Sequence, residues 1–314
     1  MAIDYARAYQ TFIDEELAAA SATEWMAAQS GQVRFTGGAE VEISTLSTTG
    51  LGDYDSAKTD GTAYPSGAVT SAWTGHTLSM DRGVKFALDR ADPSDSGFIA
   101  TAENVIREFS RVQLTRELDT YRIHKLYSLA ESGHVTEFDP ESDDALTALC
   151  ALTQTLEDDC ERTGGFVALV SAALKNQFLQ ATANTYNNLS FEQSIEINGV
   201  RYDHVMMLND LPCLFVPSAR MKTAIDALSG RTGETDGGIT AGADARQIHA
   251  LVVACDAPLA VSKIDSLKQF GPEDNQLFDG TAIQARYLYD LFVPGNKQAA
   301  IGALVEAAPA ASGD

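Results

Sequence analysis

Residues 36–72 read TGGAEVEISTLSTTGLGDYDSAKTDGTAYPSGAVTSA, and this stretch decides the fold. Its 37 residues include six glycines and twelve serines or threonines, so it has almost nothing to bury in a core. Strand-like alternation nevertheless brackets it, with Val41 and Ile43 at one end and with apolar residues at even positions after it, namely Leu78, Met80, Val84, Phe86 and Leu88. The pattern predicts a long β-hairpin and not a linker.

The predicted hairpin is too long for its own domain. Folded in half it has roughly 18 residues per side and reaches about 60 Å, whereas a globule of this size has a radius of gyration of about 20 Å. An isolated two-stranded hairpin is only marginally stable in water, and long irregular loops in compact domains are usually functional. We therefore expect the hairpin to lie on another subunit, which indicates a role in assembly.

Composition is that of a soluble globular protein, with 314 residues, 45% hydrophobic and 21% charged. No run approaches the roughly 20 apolar residues of a membrane span, and the N-terminus has no secretory signal pattern, so we expect the protein to start in a cytoplasm and to have no membrane partner. Four cysteines without CxxC spacing favour buried free thiols over metal or disulfide use: Cys150, Cys160, Cys213 and Cys255.

The formal net charge of −22 argues against a dedicated nucleic-acid binder, which would normally have a basic surface. It does not exclude a shell that encloses nucleic acid, because an acidic inner wall would let DNA slide. Which wall carries the negative charge is a separate hypothesis that the total cannot decide.

Helical patterns surround the hairpin. Residues 3–29 have the spacing of an amphipathic helical arm. From Phe98 to about Glu131 there is no proline or glycine, which predicts a helical rod of roughly 45–50 Å. The spacing further predicts that three oppositely charged pairs form on its solvated side: Glu103 with Arg107, Glu108 with Arg111, and Asp119 with Arg122.

The second half of the chain mixes short helices and strands. Asp139-Pro140 is typical of a helix start and predicts a helix to about Arg162, and 217–228 is predicted as another helix followed by a loop to Asp244. Strands are predicted at 166–170, 213–216 and 248–254, with a tight turn at Asn198-Gly199 and a long closing strand over 283–293. The last dozen residues look frayed.

The order of these elements resembles the major capsid protein of tailed bacteriophages, which has the Hong Kong 97-type fold. Three segments carry the likeness: EFSRVQLTRELDTYRIHKL at 108–126, NGVRYDHVMML at 198–208 and ARYLYDLFVPGNK at 285–297. The resemblance spans almost the whole chain and implies an α+β fold.

The resemblance implies six regions. They are an N-terminal arm at 1–35, an extended loop (a β-hairpin) at 36–84, a peripheral domain with a spine helix at 85–138, an axial domain at 139–275, the closing strand of the peripheral domain at 276–300 and a C-terminal tail at 301–314. Because only about 35 residues precede the loop, we expect no cleavable scaffolding segment.

The function implied is a structural shell protein, not an enzyme, whose copies form pentamers and hexamers of an icosahedral virion capsid around phage double-stranded DNA. Implied partners are a separate scaffolding protein and a portal, with non-specific DNA contacts at most, and assembly in the host bacterial cytoplasm. The candidate assembly-interface residues are Leu51, Tyr54, Lys58 and Tyr64 on the loop and Arg107, Arg111 and Arg116 on the spine helix. Some relatives join subunits through a loop lysine and an asparagine of a neighbour; here Lys58 is more simply a solvated lysine, although Asn275 or Asn296 offers an amide.

Catalytic, metal and cofactor motifs are not found. The five histidines are scattered, and no GxSxG, Walker or strand-associated GxGxxG pattern occurs. Asp53, Asp55 and Asp60 resemble a calcium loop, but Ala57 and Lys58 occupy positions where oxygen ligands belong. We therefore expect no catalytic residue, metal or cofactor. Two rival functions remain: an encapsulin-type shell that packs protein cargo, and a soluble α/β enzyme whose active site the long loop covers.

Overall fold

The computed structural model describes residues 21–27, 33–58, 63–89, 102–184, 189–231, 237–275 and 278–308. Within these ranges the fold is of the mixed α+β class and contains four β-sheets. The strands are β1 (Val33–Gly37), β2 (Glu40–Thr48), β3 (Val69–Thr77), β4 (Met80–Asp89), β5 (Val135–Glu137), β6 (Phe166–Ser171), β7 (Leu189–Ile197), β8 (Val200–Leu208), β9 (Leu211–Val216), β10 (Ile225–Ser229), β11 (Gly237–Ala241), β12 (Ile248–Ala254), β13 (Leu259–Phe270), β14 (Gly280–Phe292) and β15 (Ile301–Val305).

The helices are α1 (Ala102–Phe109), α2 (Thr115–Leu129), α3 (Ala145–Asp159) and α4 (Lys175–Asn184). A π-helical turn, Ser110–Leu114, joins α1 to α2, so residues 102–129 run as one helix. We call this unit the long helix. The predicted helix at 98–131 is thus found over 102–129, and its expected first residues lie outside the described ranges.

The main core surrounds a seven-stranded sheet with the order β5-β15-β12-β6-β9-β8-β7. Its central strands β6, β12 and β15 are buried along their whole length, which is why they read as continuous apolar runs. Helix α3 packs on this sheet through Leu146, Leu149, Leu152 and Leu156. At Asn198 and Gly199 the chain takes positive φ values of 48° and 85°, as a two-residue turn between β7 and β8 requires.

A second sheet, ordered β13-β14-β4, carries the long helix on one face. Alternate residues of β14, including Ile283, Tyr287 and Tyr289, pack with Ile106, Leu114, Leu118 and Tyr121 of the long helix. The strict alternation predicted from the sequence therefore corresponds to strand β14 over 280–292, with its odd-numbered apolar residues facing the long helix. Burial raises the pKa of Tyr287 to about 12, which keeps this ring neutral in the core.

The predicted hairpin at 36–72 is present as the ladder of β2 with β3. Nine residue pairs run from Glu40 opposite Thr77 to Thr48 opposite Val69. Strand β1 joins the outer edge of β2 through a turn at Gly38 and Ala39, which makes a three-stranded sheet. We call residues 33–77 the arm; the residues at its tip, 59–62, lie outside the described ranges.

Two predicted features at the chain ends are wrong where the structure describes them. Residues 301–305, expected to begin a frayed C-terminal tail, form the buried strand β15 between β5 and β12. Residues 21–27, expected to lie in a helical arm, contain only a 3₁₀ turn at Glu24–Met26. Both segments are short apolar pieces whose structure is decided by distant partners and not by local spacing. The rest of the predicted helical arm, at 3–20 and 28–29, lies outside the described ranges.

Two predicted helices also differ from the structure. The helix expected to start at Asp139-Pro140 starts at Ala145, because Asp144 is the residue whose carboxylate caps it, accepting from Thr147 N at 3.1 Å. Asp139 instead stabilises the preceding turn, with its carboxylate accepting from Glu141 N at 3.0 Å. The helix expected at 217–228 is a 3₁₀ turn, Ser218–Arg220, followed by β10, which pairs with β11 inside the expected loop.

Candidate assembly interface

Exposed apolar side chains concentrate on the arm. The structure has nine exposed large hydrophobic residues among those described, and seven of them belong to the arm: Phe35, Leu46, Leu51, Tyr54, Tyr64, Val69 and Trp73. Scattered single apolar residues are normal on a protein surface, but a concentration on one projecting segment marks an interaction site. The arm is therefore the first candidate for a contact with another molecule.

Strand register places three of these side chains on one face. Trp73 lies opposite Ser44, Leu46 opposite Ser71, and Val69 opposite Thr48, and these residues alternate with the other face along each strand. Leu46, Val69 and Trp73 are 69%, 71% and 48% exposed. They form a diagonal apolar stripe, bounded at the base of the arm by Arg34, whose guanidinium lies 5.0 Å from the centre of the Trp73 ring and which is ion-paired with Glu42.

The opposite face of the arm is buried at its base. Val41 and Ile43 are almost fully buried, and Val41 packs with Leu78, Val261 and Leu288. The turn between β3 and β4 is held by Asp290, whose carboxylate accepts from Ser79 N at 2.9 Å and from the Tyr121 hydroxyl at 2.6 Å. Burial and this carboxylate raise the pKa of Tyr121. The arm thus projects from a well-ordered base.

Beyond the ladder the two sides of the arm stay together. Thr49 N donates to Ala68 O at 3.1 Å, and Asp55 N donates to Ala63 O at 3.0 Å. The rings of Tyr54 and Tyr64 lie 4.8 Å apart between their centroids. These contacts order residues 49–58 and 63–68 without burying the tyrosines, which remain available to a partner.

Of the predicted interface residues, the structure separates two groups. Leu51, Tyr54, Lys58 and Tyr64 all lie on the distal part of the arm and are exposed, and Lys58 Nζ lies 3.9 Å from the carboxylate of Asp55. Arg107, Arg111 and Arg116 lie on the exposed side of the long helix, where Arg111 donates to Glu108 at 2.9 Å. No contact of a second subunit tests either group, so both remain predictions.

A buried charged cluster on the long helix was missed by the sequence reasoning. Asp119 is fully buried and accepts from Ser21 Oγ and Thr23 Oγ1 at 2.6 Å each, from Ala22 N at 3.3 Å, and from the guanidinium of Arg220 at 2.9 Å. The first three bonds fasten residues 21–23 to the middle of the long helix, and the fourth joins Arg220 to the same carboxylate.

Arg122, one helical turn along, completes this attachment. It is 2% exposed and donates to the Glu24 carboxylate at 3.0 Å and to the Thr23 carbonyl at 3.2 Å. The predicted solvated pair of Asp119 with Arg122 is therefore wrong: the spacing suited a surface pair, but each charge is buried and has its own partner. The predicted pair Glu108–Arg111 is present. The predicted pair Glu103–Arg107 depends on the side chain of Glu103, which is not among the side chains that the structure describes.

A third contact joins the β10–β11 hairpin to the long helix. Arg82 donates to the Glu117 carboxylate at 2.8 Å and to the carbonyls of Leu228 and Gly238 at 2.7 and 3.1 Å. The Tyr289 hydroxyl also donates to Glu117, at 2.7 Å, and burial with the neighbouring carboxylate raises the pKa of Tyr289. The helix is thus tied to three distant segments of the chain.

Enzyme-like chemistry has weak support in the described part of the chain. A cleft of about 380 Å³ lies between α3 and the β8–β9 turn, and its lining includes Cys150, Gln154, Glu157 and Asp210 but no histidine, lysine or arginine. Glu157 is occupied there as acceptor of Gly164 N at 2.7 Å. Burial raises the pKa of the Cys150 thiol, the reverse of what a nucleophile needs.

Metal ligands are likewise not assembled in the residues described: these contain no group of three or more histidine, cysteine or acidic side chains positioned around a common point. In the segment whose sequence resembles a calcium loop, one carboxylate oxygen of Asp55 accepts a hydrogen bond from Ala57 N at 3.0 Å and so stabilises a local turn. All four cysteines are free thiols; Cys213 is buried and the other three are partly buried. None of the described helices is both long and apolar enough for a transmembrane span.

Comparison with solved structures finds the same fold in phage capsids. The capsid structure of the cyanophage P-SCSP1u matches with a TM-score of 0.52 and 12% sequence identity, covering 88% of this chain and 85% of that one. The mature capsid of bacteriophage PhiM1 matches with a TM-score of 0.51 and 13% identity over 85% and 82% of the two chains. The capsid of Ralstonia phage GP4 matches with a TM-score of 0.52 and 10% identity over 94% and 93%.

Neither a family model nor a curated protein matches the sequence. At 10–13% identity, the structural likeness establishes the shared fold and leaves function to be argued from the surfaces of this chain. The likeness covers most of both chains, so it concerns the fold as a whole and not a single local motif.

Proposed function

We propose that this chain, which has the fold of tailed-phage capsid proteins, is itself a major capsid protein. Copies would assemble as pentamers and hexamers into an icosahedral shell that encloses double-stranded phage DNA. The observation that carries the proposal is the arm: an ordered projection that holds seven of the nine exposed large apolar side chains in the described part of the chain.

Physical chemistry supports an intersubunit role for the arm. A projecting hairpin with exposed Leu51, Tyr54 and Tyr64 gains stability only when a second surface covers these side chains. A shell of many identical copies needs such heterologous contacts, in which a surface of one subunit meets a different surface of the next. We propose that this subunit has an arm-bearing peripheral region and an axial domain at 139–275, which meets its copies around the five- and six-fold axes.

The proposed partners follow from that role. The shell would be built in the bacterial host's cytoplasm with a separate scaffolding protein and a portal, and it would contact DNA non-specifically. The net charge of −22 is consistent with an inner wall that does not grip DNA. No cofactor, metal or catalytic residue enters the proposal.

A shortened arm tests the proposal directly. Residues 46–71 are replaced by an Asn-Gly turn, which leaves the ladder from Glu40–Thr77 to Thr45–Ala72 and the buried base intact. We expect a folded protein with unchanged circular dichroism that no longer forms shells. A matched variant that keeps the arm but changes Leu51 and Tyr64 to serine should be folded and assemble weakly.

If the shortened protein still forms normal shells, the arm is not the assembly element and the proposal loses its main support. The contents of wild-type shells purified from cells decide between the two kinds of shell. Nucleic acid supports a virion capsid, whereas a single protein cargo would support the encapsulin-type alternative. An enzyme with a covering loop would instead stay at a low oligomeric state.

A further inference from the structure

The β13-β14-β4 sheet separates two sides of the subunit. One face carries the long helix, through residues such as Ile283 and Tyr287. The other face carries the base of the arm, where Leu288 packs with Val41. We call this second face the outer sheet face.

Cationic side chains from three strands, β4, β13 and β14, lie on the outer sheet face. The register places Lys85, Gln284 and Lys268 in one row across β4, β14 and β13. Arg286 shares this face because it lies two residues from Gln284 on β14, and Lys263 shares it because it lies opposite Leu288. Among the described residues, the anions of this face are Asp81, which is paired with Arg286 at 2.6 Å, Asp89 at the end of β4, and the buried Asp290, which accepts from Ser79 N and the Tyr121 hydroxyl. In a chain with a net charge of −22, four cations against three anions on one sheet face are a local excess of positive charge.

The row of Lys85, Gln284 and Lys268 is exposed. Adjacent strands lie about 4.8 Å apart, so the two lysines flank Gln284 with their backbones about 10 Å apart. Long lysine side chains at this separation can reach two carboxylates of one extended segment. The face is therefore suited to an acidic strand or loop.

The distal arm has the complementary charge. Residues 49–68 contain three aspartates and one lysine, and Asp53 and Asp55 lie beside the exposed Leu51 and Tyr54. Two residues of extended chain span about 6.6 Å, which suits the two flanking lysines. Asp55 shares its charge with Lys58 at 3.9 Å, so Asp53 carries more of the attraction.

The arm of the same subunit cannot cover this row. Strands β2 and β3 are paired over nine residues, and Asp53 lies a further five residues beyond Thr48. At about 3.3 Å per residue this places Asp53 roughly 40 Å from the base of the arm, while the outer sheet face lies at the base itself.

We infer that the outer sheet face, through Lys85 and Lys268, receives the acidic distal arm of a second copy of this chain. This inference rests on the proposed function and names the acceptor of the arm. Arg107, Arg111 and Arg116, which are predicted as assembly-interface residues, are not part of this contact, because the long helix lies across the sheet from the arm base.

Charge reversal with exchange tests the inference. K85E/K268E and D53K/D55K each replace two attractive contacts by repulsive ones, and we expect each to raise the protein concentration needed for shell formation about tenfold. Combining the four changes should restore assembly to within about threefold of wild type. K85R/K268R is the matched control: it changes the same two positions, keeps both positive charges and should assemble like wild type.

Carbodiimide cross-linking of wild-type shells gives a second readout, since it joins a lysine to a carboxylate only at direct contact. Peptides that link Lys85 or Lys268 to Asp53 or Asp55 of another copy are expected, with isotope-mixed shells to prove that two copies are joined. Normal assembly of K85E/K268E, or failure of the four-residue exchange to rescue, would overturn the inference while wild-type shells leave the proposed function standing. A wild-type chain that forms no shells would instead remove the proposed function.

Discussion

Replacing Asp119 by alanine should release the N-terminal segment from the long helix and destabilise the whole subunit. The carboxylate is fully buried and accepts four hydrogen bonds, one of them from Arg220, whose side chain is only 20% exposed. Removing it leaves the guanidinium and the hydroxyls of Ser21 and Thr23 without their acceptor. Breaking a buried ion pair on one side typically costs about 3–5 kcal/mol, which we expect here.

The assay is urea unfolding of unassembled protein, followed by circular dichroism. With a slope of about 3 kcal/mol per M, the loss corresponds to a fall in the midpoint of about 1 M or more. Asp203, which is exposed and pairs with Arg201 at 3.1 Å, is the control: its change to alanine should cost about 0.5 kcal/mol or less.

Hydrogen exchange distinguishes release of the N-terminal segment from destabilisation of the whole subunit. In D119A the amides of Ala22 and Trp25, which donate to Asp119 and Tyr202, should exchange well before the central sheet does. A loss of less than about 1 kcal/mol, or one equal to that of the Asp203 control, would refute the reasoning that the buried carboxylate holds residues 21–23 in place.

Three further predictions concern the main core. Changing Gly302 to alanine places a methyl group 2.8 Å from the side chain of Leu152 and should cost about 1–3 kcal/mol in urea unfolding, whereas the same change at Gly133, which has open space, should be nearly neutral; equal effects would contradict the packing of β15. Burial lowers the pKa of His249 below its ordinary 6.5, so on acidification the unfolded chain takes up a proton before the native chain does. The contribution of His249 to the free energy of unfolding is therefore complete above pH 6.5 and is lost as the pH falls below it. H249F should flatten the curve of unfolding free energy against pH between about pH 7 and 5. Burial raises the pKa of the Cys213 thiol to about 12, so native protein at pH 8 should label there with a disulfide reagent only on unfolding, and rapid native labelling would contradict its burial.

Local signals in the sequence predicted much of the fold. Alternation predicted the hairpin at 36–72, where Val41 and Ile43 are buried at the base, and the closing strand β14, whose odd-numbered residues pack under the long helix. Asn198-Gly199 gave the β7–β8 turn, since few residues accept the positive φ angles that this turn needs. Buried strands such as β6 and β12 were predicted as unbroken apolar runs.

Elements stabilised by distant partners could not be predicted in the same way. The segment 225–229 has no strong strand pattern of its own; it pairs with β11, and Arg82 binds the Leu228 carbonyl from far away in the sequence. Strand β15 is only five residues long and would be unremarkable as a tail, but it lies between β5 and β12 in the sheet.

Only part of the candidate interface could be predicted from the sequence, because its other residues come from distant segments of the chain. The exposed residues of the distal arm follow from their sequence, because a hairpin so poor in apolar groups cannot bury them. The cationic outer sheet face joins Lys85 and Lys268 from segments more than 180 residues apart, so it can be recognised only once the strand register is known. The buried role of Asp119 likewise depends on residues 21–23 and Arg220, which helix spacing does not reveal.

Electron microscopy of the purified chain over a range of salt and protein concentrations, with light scattering for mass, tests the central claim most directly. We expect uniform closed shells tens of nanometres across, with arms that cross from one subunit to the next. A chain that stays a monomer or dimer under every condition, including co-expression with its neighbouring genes to supply a scaffold, would contradict the proposed function.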